Sequence, residues 1–462
     1  MKLRVLALAC GVAALGPQTA GRLAAGPHGE LFYWLTPARS GDADAPLVVW
    51  LNGGPGASSM MGLFLENGPF VVRDDGSVAE RNASWNNRYD MLWVDQPAGT
   101  GFSVATSPDG YAKSQDAVAA AFVEFMGNLY ATYPNLKKKK LWLTGESYAG
   151  KYIPAIASTI LATGADVPLA GVAIGNGLTR PREMTLSVPD SYYAVGILDA
   201  AQRDQAAELA AACVAHIDAG RWGNATAARS ILFDYIDSAN GGKKTAPNVD
   251  NFMFYGDYNE TAVFRFLNSD STKKLLNLPA NASWQQSSDA VHDHLSDDIM
   301  KPYDHMINPI LDAGLPTLLY QGQLDMRDGV AATEAWLANW TWMYKVGWTN
   351  APRTAWVSPE GAIEPYATPG GRPRPSTWPL LCPSRGRHRR ADVPKSAKAA
   401  FSKIARRYDS TQPAIAGYVR SCTGLTHMTV GGAGHLVPHD QPDRALDMIT
   451  RFIDGKIPER CR

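Results

Sequence analysis

Leu141-Trp142-Leu143-Thr144-Gly145-Glu146-Ser147-Tyr148-Ala149-Gly150 is the stretch on which the fold turns. The apolar run Leu141–Thr144 predicts a buried strand. A serine follows among small residues, and Tyr148 to Leu161 has helix-like spacing. A sharp strand-to-helix turn lifts a serine hydroxyl clear of a sheet, and small neighbours let the turn close. The strict G-x-S-x-G pattern has glycine where Ala149 stands.

On either side of this stretch the same grammar recurs. Leu47–Leu51 runs into Asn52-Gly53-Gly54-Pro55-Gly56, Met91–Val94 into Asp95-Gln96-Pro97, and Gly171–Ile174 into Gly175-Asn176-Gly177. Pro316–Tyr320 runs into Gln321-Gly322-Gln323-Leu324-Asp325, and Met428–Val430 into Gly431-Gly432-Ala433-Gly434-His435. Continuous apolar strands alternating with helices predict a mostly parallel sheet covered on both faces, with chemistry at the strands' carboxyl ends. Residues 178 to about 312 lack a strongly β-rich run. The alanine-rich Ala200–Ile217 and Ala225–Ile236 read as helices of a lid insertion. The expected fold class is α/β: an α/β-hydrolase sheet with a largely helical lid.

In that fold the catalytic order is serine, acid, histidine. Ser147, Asp325 and His435 follow it, each just past a strand. The serine needs an imidazole base, and the base needs a carboxylate to fix its tautomer. Asp328 rivals Asp325 but lies farther from its strand. His427 is expected to precede its strand, and His439 to begin a final helix, Asp440–Lys456. Tyr148 and the glycine-rich loop Asn52-Gly53-Gly54-Pro55-Gly56 are the oxyanion-hole candidates, because glycine lets backbone approach a substrate oxygen. His292 and His294 lack further ligands at zinc spacing, so they read as surface. No metal and no cofactor is expected.

With these motifs in place, the chain resembles the serine carboxypeptidase family. The matching runs are Trp50–Ser59, Asp95–Ser103, Gly145–Gly150 and Gly434-His435-Leu436-Val437-Pro438. Tyr320–Gly329 is similar to the plant carboxypeptidase-like 50/51 branch, and Ser59–Phe64 to the animal vitellogenic-like carboxypeptidases. The resemblance implies removal of single residues from free peptide or protein C-termini, commonly at acidic pH. It implies Ser147 as nucleophile, Asp325 as orienter and His435 as base, with Gly54 and Tyr148 at the oxyanion. It also implies that Asn52, Glu66 and Glu146 bind the substrate carboxylate, with Trp50 and Gly53 adjoining. An acyltransferase of the same family and a non-catalytic binding protein are the alternative readings. Ala57 stands where the family often has cysteine, so a frequent disulfide is missing.

Composition bounds the rest. The chain has 462 residues, 44 Lys+Arg against 44 Asp+Glu, 45% hydrophobic and 19% charged residues. A neutral chain lacks the field of a non-specific nucleic-acid binder, and this one is not a disordered polyelectrolyte. Lys2, Arg4 and the apolar run Val5–Leu15 predict a signal peptide over 1–20, cleaved after Gln18-Thr19-Ala20. The remainder, 21–462, is expected to be one catalytic domain. No later run is long enough to span a bilayer. Five sequons, at Asn82, Asn224, Asn259, Asn281 and Asn339, agree with a secretory route to vacuole, lysosome or outside. The partners expected are peptide C-termini; the chain is expected to be a monomer or homodimer. Cys213, Cys382, Cys422 and Cys461 allow three pairings. Residues 352–395 hold nine prolines, and seven arginines with Lys395 against Glu360, Glu364 and Asp392. They read as an exposed, disordered excursion, open to excision. The signal thus carries +2 and the excursion +5, which leaves −7 for the body.

Overall fold

A computed structural model describes residues 17–242, 245–358 and 415–461. Among them fifteen strands are numbered in chain order. β1 is Thr19–Ala24, β2 Gly29–Thr36, β3 Leu47–Leu51, β4 Phe70–Val72 and β5 Val78–Glu80. β6 is Asp90–Asp95, β7 Val104–Ala105, β8 Leu141–Glu146, β9 Leu169–Gly175, and β10 Pro247–Asn248. β11 is Asn251–Tyr255, β12 Thr317–Gly322, β13 Thr354–Val357, β14 Ile415–Cys422 and β15 Leu425–Val430.

One eleven-stranded sheet dominates, in the order β1-β2-β6-β3-β8-β9-β12-β15-β14-β13, with β7 on β2. The centre from β6 to β15 is parallel, and both flanks are antiparallel. β3, β6, β8, β12 and β15 are buried along their whole length. Side chains alternate across the sheet. Leu47, Val49 and Leu51 pack with helices Gln115–Thr132 and Ala149–Thr163 on one face. Val48 and Trp50 pack with Met448, Ile449 and Phe452 of helix Pro442–Ile453 on the other. The central strands are therefore the expected ones, with the α/β-hydrolase architecture around them.

Between β9 and β12 lies the helical insertion. Its helices include Pro181–Ala194, Ala200–Asp218 and Trp222–Ala239. The insertion is largely helical, as expected, and one short β element lies within it. β10 and β11 form a short antiparallel hairpin there, whose longer strand, Asn251–Tyr255, spans only five residues and buries Asn251 alone.

Two boundaries move, and β1 bears on a third. β1 begins at Thr19 and pairs Thr19 with Leu35 and Ala20 with Trp34. Cleavage after Ala20 would cut this strand. The excursion expected over 352–395 begins with β13, which pairs with β14 and buries Trp356. Averaging the composition over the whole segment hid Thr354–Val357. Residues 359–414, with Cys382 and the arginine cluster, lie outside the described residues. The final helix is split into Val437–Asp440 and Pro442–Ile453, since Pro442 supplies no N–H for a continuous ladder. Cys422 and Cys461 form a disulfide, and Cys213 is a buried free thiol.

Candidate active site

Ser147 follows β8 with φ of 62°, the strained left-handed turn of an elbow. Its N–H donates to Gly175 O (2.9 Å), and its carbonyl accepts from Gly150 and Leu178 N–H (both 2.9 Å). The turn closes only because its neighbours are small. A Cβ on Gly145 would stand 2.2 Å from Leu51 O, and one on Gly53 would stand 2.3 Å from Tyr148 N. The Gly53-Gly54 loop thus rests directly on the elbow. Among the described residues neither the Gly54 nor the Tyr148 N–H donates a hydrogen bond.

β8, β9, β12 and β15 are parallel neighbours, so their carboxyl ends open on the same side. His435 Nδ1 lies 2.8 Å from Asp325 Oδ2. The same oxygen accepts from Asn176 Nδ2, while Oδ1 accepts the N–H groups of Arg327 (2.7 Å) and Asp328 (3.2 Å). Asn176 adjoins Gly175, so one short segment ties Ser147 to Asp325. Burial disfavours the imidazolium, but Asp325, Asp250 and Asp328 outweigh it and hold His435 at about 9.

The rivals are occupied elsewhere. Asp328 pairs with Arg229 at 3.2 Å. His427 lies inside β15, not before it, buried between Glu334 (2.9 Å) and Gln321 (2.6 Å). His439 sits in the short helix beside Asp440. His294 stacks on Tyr111, and His292 is half-exposed at the cavity rim. Ligand atoms of Asp250, Asp325 and His435 lie within 4.8 Å of one another. Arg327 at 3.0 Å from Asp250 and the Asp325–His435 bond already balance that set's charge.

Asn52, Glu66 and Glu146 form the second cluster, all buried. Asn52 Oδ1 accepts Trp50 Nε1 (2.8 Å) and Gly62 N–H (3.1 Å), which fixes the amide's orientation. Its Nδ2 therefore faces both acids, donating to Glu146 Oε1 (2.9 Å) and Glu66 Oε1 (3.1 Å). Oε2 of each acid is buried without another donor. Protonation of either carboxyl would give the pair a donor of its own. Burial drives Glu66 up, and burial with Glu66's charge drives Glu146 well up.

Several participants were missed from sequence. A Cβ on Gly62 would stand 2.1 Å from Trp50 Nε1. Asp95 accepts Ser58 Oγ (2.6 Å), Ser59 N–H and Phe102 N–H (both 2.9 Å), while Ser59 Oγ accepts Asn52 N–H. Asp250 comes from the unexpected hairpin. Only the Asp95 motif carried a local signal, its glycine: a Cβ on Gly101 would meet Asp95 Oδ2 at 2.2 Å. All five sequon asparagines are exposed. A cavity of about 490 Å³ opens on Gly54, Ser147 and Tyr148 and is also lined by Arg229, Arg327 and Asp328.

Sheet, elbow and acid–histidine pair together define an α/β-hydrolase. The chain belongs to the serine carboxypeptidase family, whose model matches residues 16–368 and 384–455, and is a hydrolase of that type. It is similar to serine carboxypeptidase-like 50 of Arabidopsis thaliana, 32% identical over 440 residues (93% of this chain, 85% of the relative). It is 29% identical to the probable serine carboxypeptidase CPVL of Dictyostelium discoideum over 441 residues (93% and 76%). Its fold is similar to the crystal structure of Kex1(delta)p, a prohormone-processing carboxypeptidase from Saccharomyces cerevisiae. That match has a TM-score of 0.76 at 23% identity, over 96% of this chain and 92% of that one.

Proposed function

We propose that this protein removes the C-terminal residue of peptides through an acyl-enzyme on Ser147. Ser147 Oγ attacks the scissile carbonyl as His435 takes its proton, and Asp325 stabilises the imidazolium. The Gly54 and Tyr148 N–H groups receive the developing oxyanion. His435 then protonates the departing amine, the carbonyl–nitrogen bond breaks, and water hydrolyses the ester by the reverse proton path.

The observation that carries this reading is the buried Asn52–Glu66–Glu146 cluster, whose last member directly precedes Ser147. Two buried acids sharing a proton can donate a hydrogen bond to a substrate carboxylate, which a fully ionised pair would repel. Mildly acidic conditions favour that state, and a secretory route to an acidic compartment or the exterior suits it. Glycosylation of the exposed sequons belongs to the same route. Similarity at 28–32% to the Arabidopsis protein and to CPVL proteins, the human one included, supports a place near those branches.

The test pairs an N-blocked dipeptide with an acyl-glucose donor. Hydrolysis of the dipeptide, abolished in Ser147→Ala, supports the reading. Turnover of the acyl-glucose donor alone supports an acyltransferase instead.

A further inference from the structure

The hairpin tip between β10 and β11 touches both loops that carry the acid–histidine pair. On the acid side, Met326 N–H donates to Val249 O (2.9 Å) and Phe252 N–H donates to Leu324 O (3.1 Å). These bonds bracket Asp325 from its two neighbours. On the histidine side, His435 N–H donates to Asp250 O at 2.6 Å. Asn251 Nδ2 donates to Asp440 Oδ2 (2.8 Å), the oxygen that also accepts Gly434 N–H (2.7 Å). The approach is close enough to require glycine: a Cβ on Gly434 would lie 2.3 Å from Asp250 O and 2.6 Å from Asn251 Cβ. The Asp250 carboxylate meets Arg327 at 3.0 Å and lies within 4.8 Å of the Asp325 and His435 ligand atoms.

We propose that this tip, Val249–Phe252, is a positioning bracket for the Asp325–His435 pair. Asp250 is its principal residue, seating the His435 backbone while its Arg327-held carboxylate faces the imidazole. The proposal rests on His435 acting as the base. The hairpin then has a role in catalysis, since an element of the insertion completes the geometry of a pair whose members sit on the sheet.

The charges around the pair set the sign of the test. Asp325, Asp250 and Asp328 favour the imidazolium, and the raised Glu66–Glu146 pair lies on the same side. Arg327, His435 and Arg229 face the half-buried Asp250 and outweigh its partial desolvation, which keeps it ionised. Tyr192 and Tyr258 are held neutral beside it. Removing the Asp250 charge therefore makes the imidazolium easier to deprotonate, and removing the Arg327 charge makes it harder.

The experiment follows the pH dependence of kcat/KM for a blocked dipeptide, and of Ser147 labelling by diisopropyl fluorophosphate, in wild type, Asp250→Asn and Arg327→Gln. The ascending limb should move to lower pH by about one unit in Asp250→Asn and to higher pH in Arg327→Gln. A role in folding alone would lower both rates without moving the limbs. Limbs that stay in place, or move the same way in both variants, overturn the proposal. A wild type that is labelled yet does not cleave the dipeptide contradicts the peptidase reading, and the labelling profiles still decide the bracket. A wild type that is not labelled overturns both.

Discussion

Glu66 and Glu146, 80 positions apart in the chain, are bridged by one amide nitrogen, Asn52 Nδ2, at 3.1 and 2.9 Å. The amide can serve both because Trp50 and Gly62 occupy its oxygen. Both carboxyls are pushed up, so their ionisation should weaken substrate binding. KM for a blocked dipeptide should rise from mildly acidic to neutral pH, and Glu146→Gln should flatten that rise. A KM independent of pH in the wild type would contradict a shared proton. The His435 value of about 9 acts on the other limb, raising kcat as the base loses its proton. Hence kcat/KM should be bell-shaped.

Gly62 is tested by adding one methyl. In Gly62→Ala the new Cβ would meet Trp50 Nε1 at 2.1 Å and Asn52 Oδ1 at 2.9 Å. Turning the amide removes its grip on the acids. We expect KM to rise roughly tenfold, and stability to fall by about 1–3 kcal/mol from overpacking. Steady-state kinetics and denaturant unfolding read the two effects, and an unchanged KM would disconnect Gly62 from substrate binding.

Stability should fall as pH rises between about 4.5 and 6.5, the range between the ordinary carboxyl and histidine values. Burial raises Asp95 to about 6 and also raises Glu66, Glu146 and Asp328. In that window the folded chain binds more of these protons than the unfolded one, so stability declines with pH. Buried His427, which is lowered, acts in the opposite sense but is one group against four. A melting temperature that climbs across this window would contradict the assignment.

Cys422 and Cys461 close a 39-residue separation and pin the C-terminal segment to the end of β14. Cys461→Ser should cost about 2–4 kcal/mol of stability. The active site stands on other strands, so kcat at low temperature should be retained. Thermal melting with and without the substitution checks this.

The parallel centre was legible because β3, β6, β8 and β12 are buried on both faces and carry unbroken apolar runs, whereas β15, interrupted by Thr426 and His427, was read only from Met428 onward. Ser147, Asp325 and His435 were legible because each ends such a run. The flanks were not. β13 is four residues inside a proline- and arginine-rich segment, and the β10–β11 hairpin is short and lies among helices. Gly62 and Asp250 have no local signature at all; their importance comes from what packs against them from distant parts of the chain.

β1 makes the mature N-terminus informative. Its pairing starts at Thr19, and Trp34 Nε1 donates to Gln18 Oε1 at 3.0 Å. If a signal is removed, the expected cut lies before Gln18, which N-terminal sequencing of secreted protein would read. A mature chain starting at Gly21 would mean that the first two pairs of β1 are dispensable.

Recognition of a free C-terminus beside Ser147 is what the buried acids are assigned to do. The sharpest check compares kcat/KM for one blocked dipeptide as its free acid and as its C-terminal amide, at mildly acidic pH. We expect the acid to be favoured by at least tenfold, with the difference shrinking in Glu146→Gln. Equal cleavage of acid and amide by the wild type would contradict that assignment.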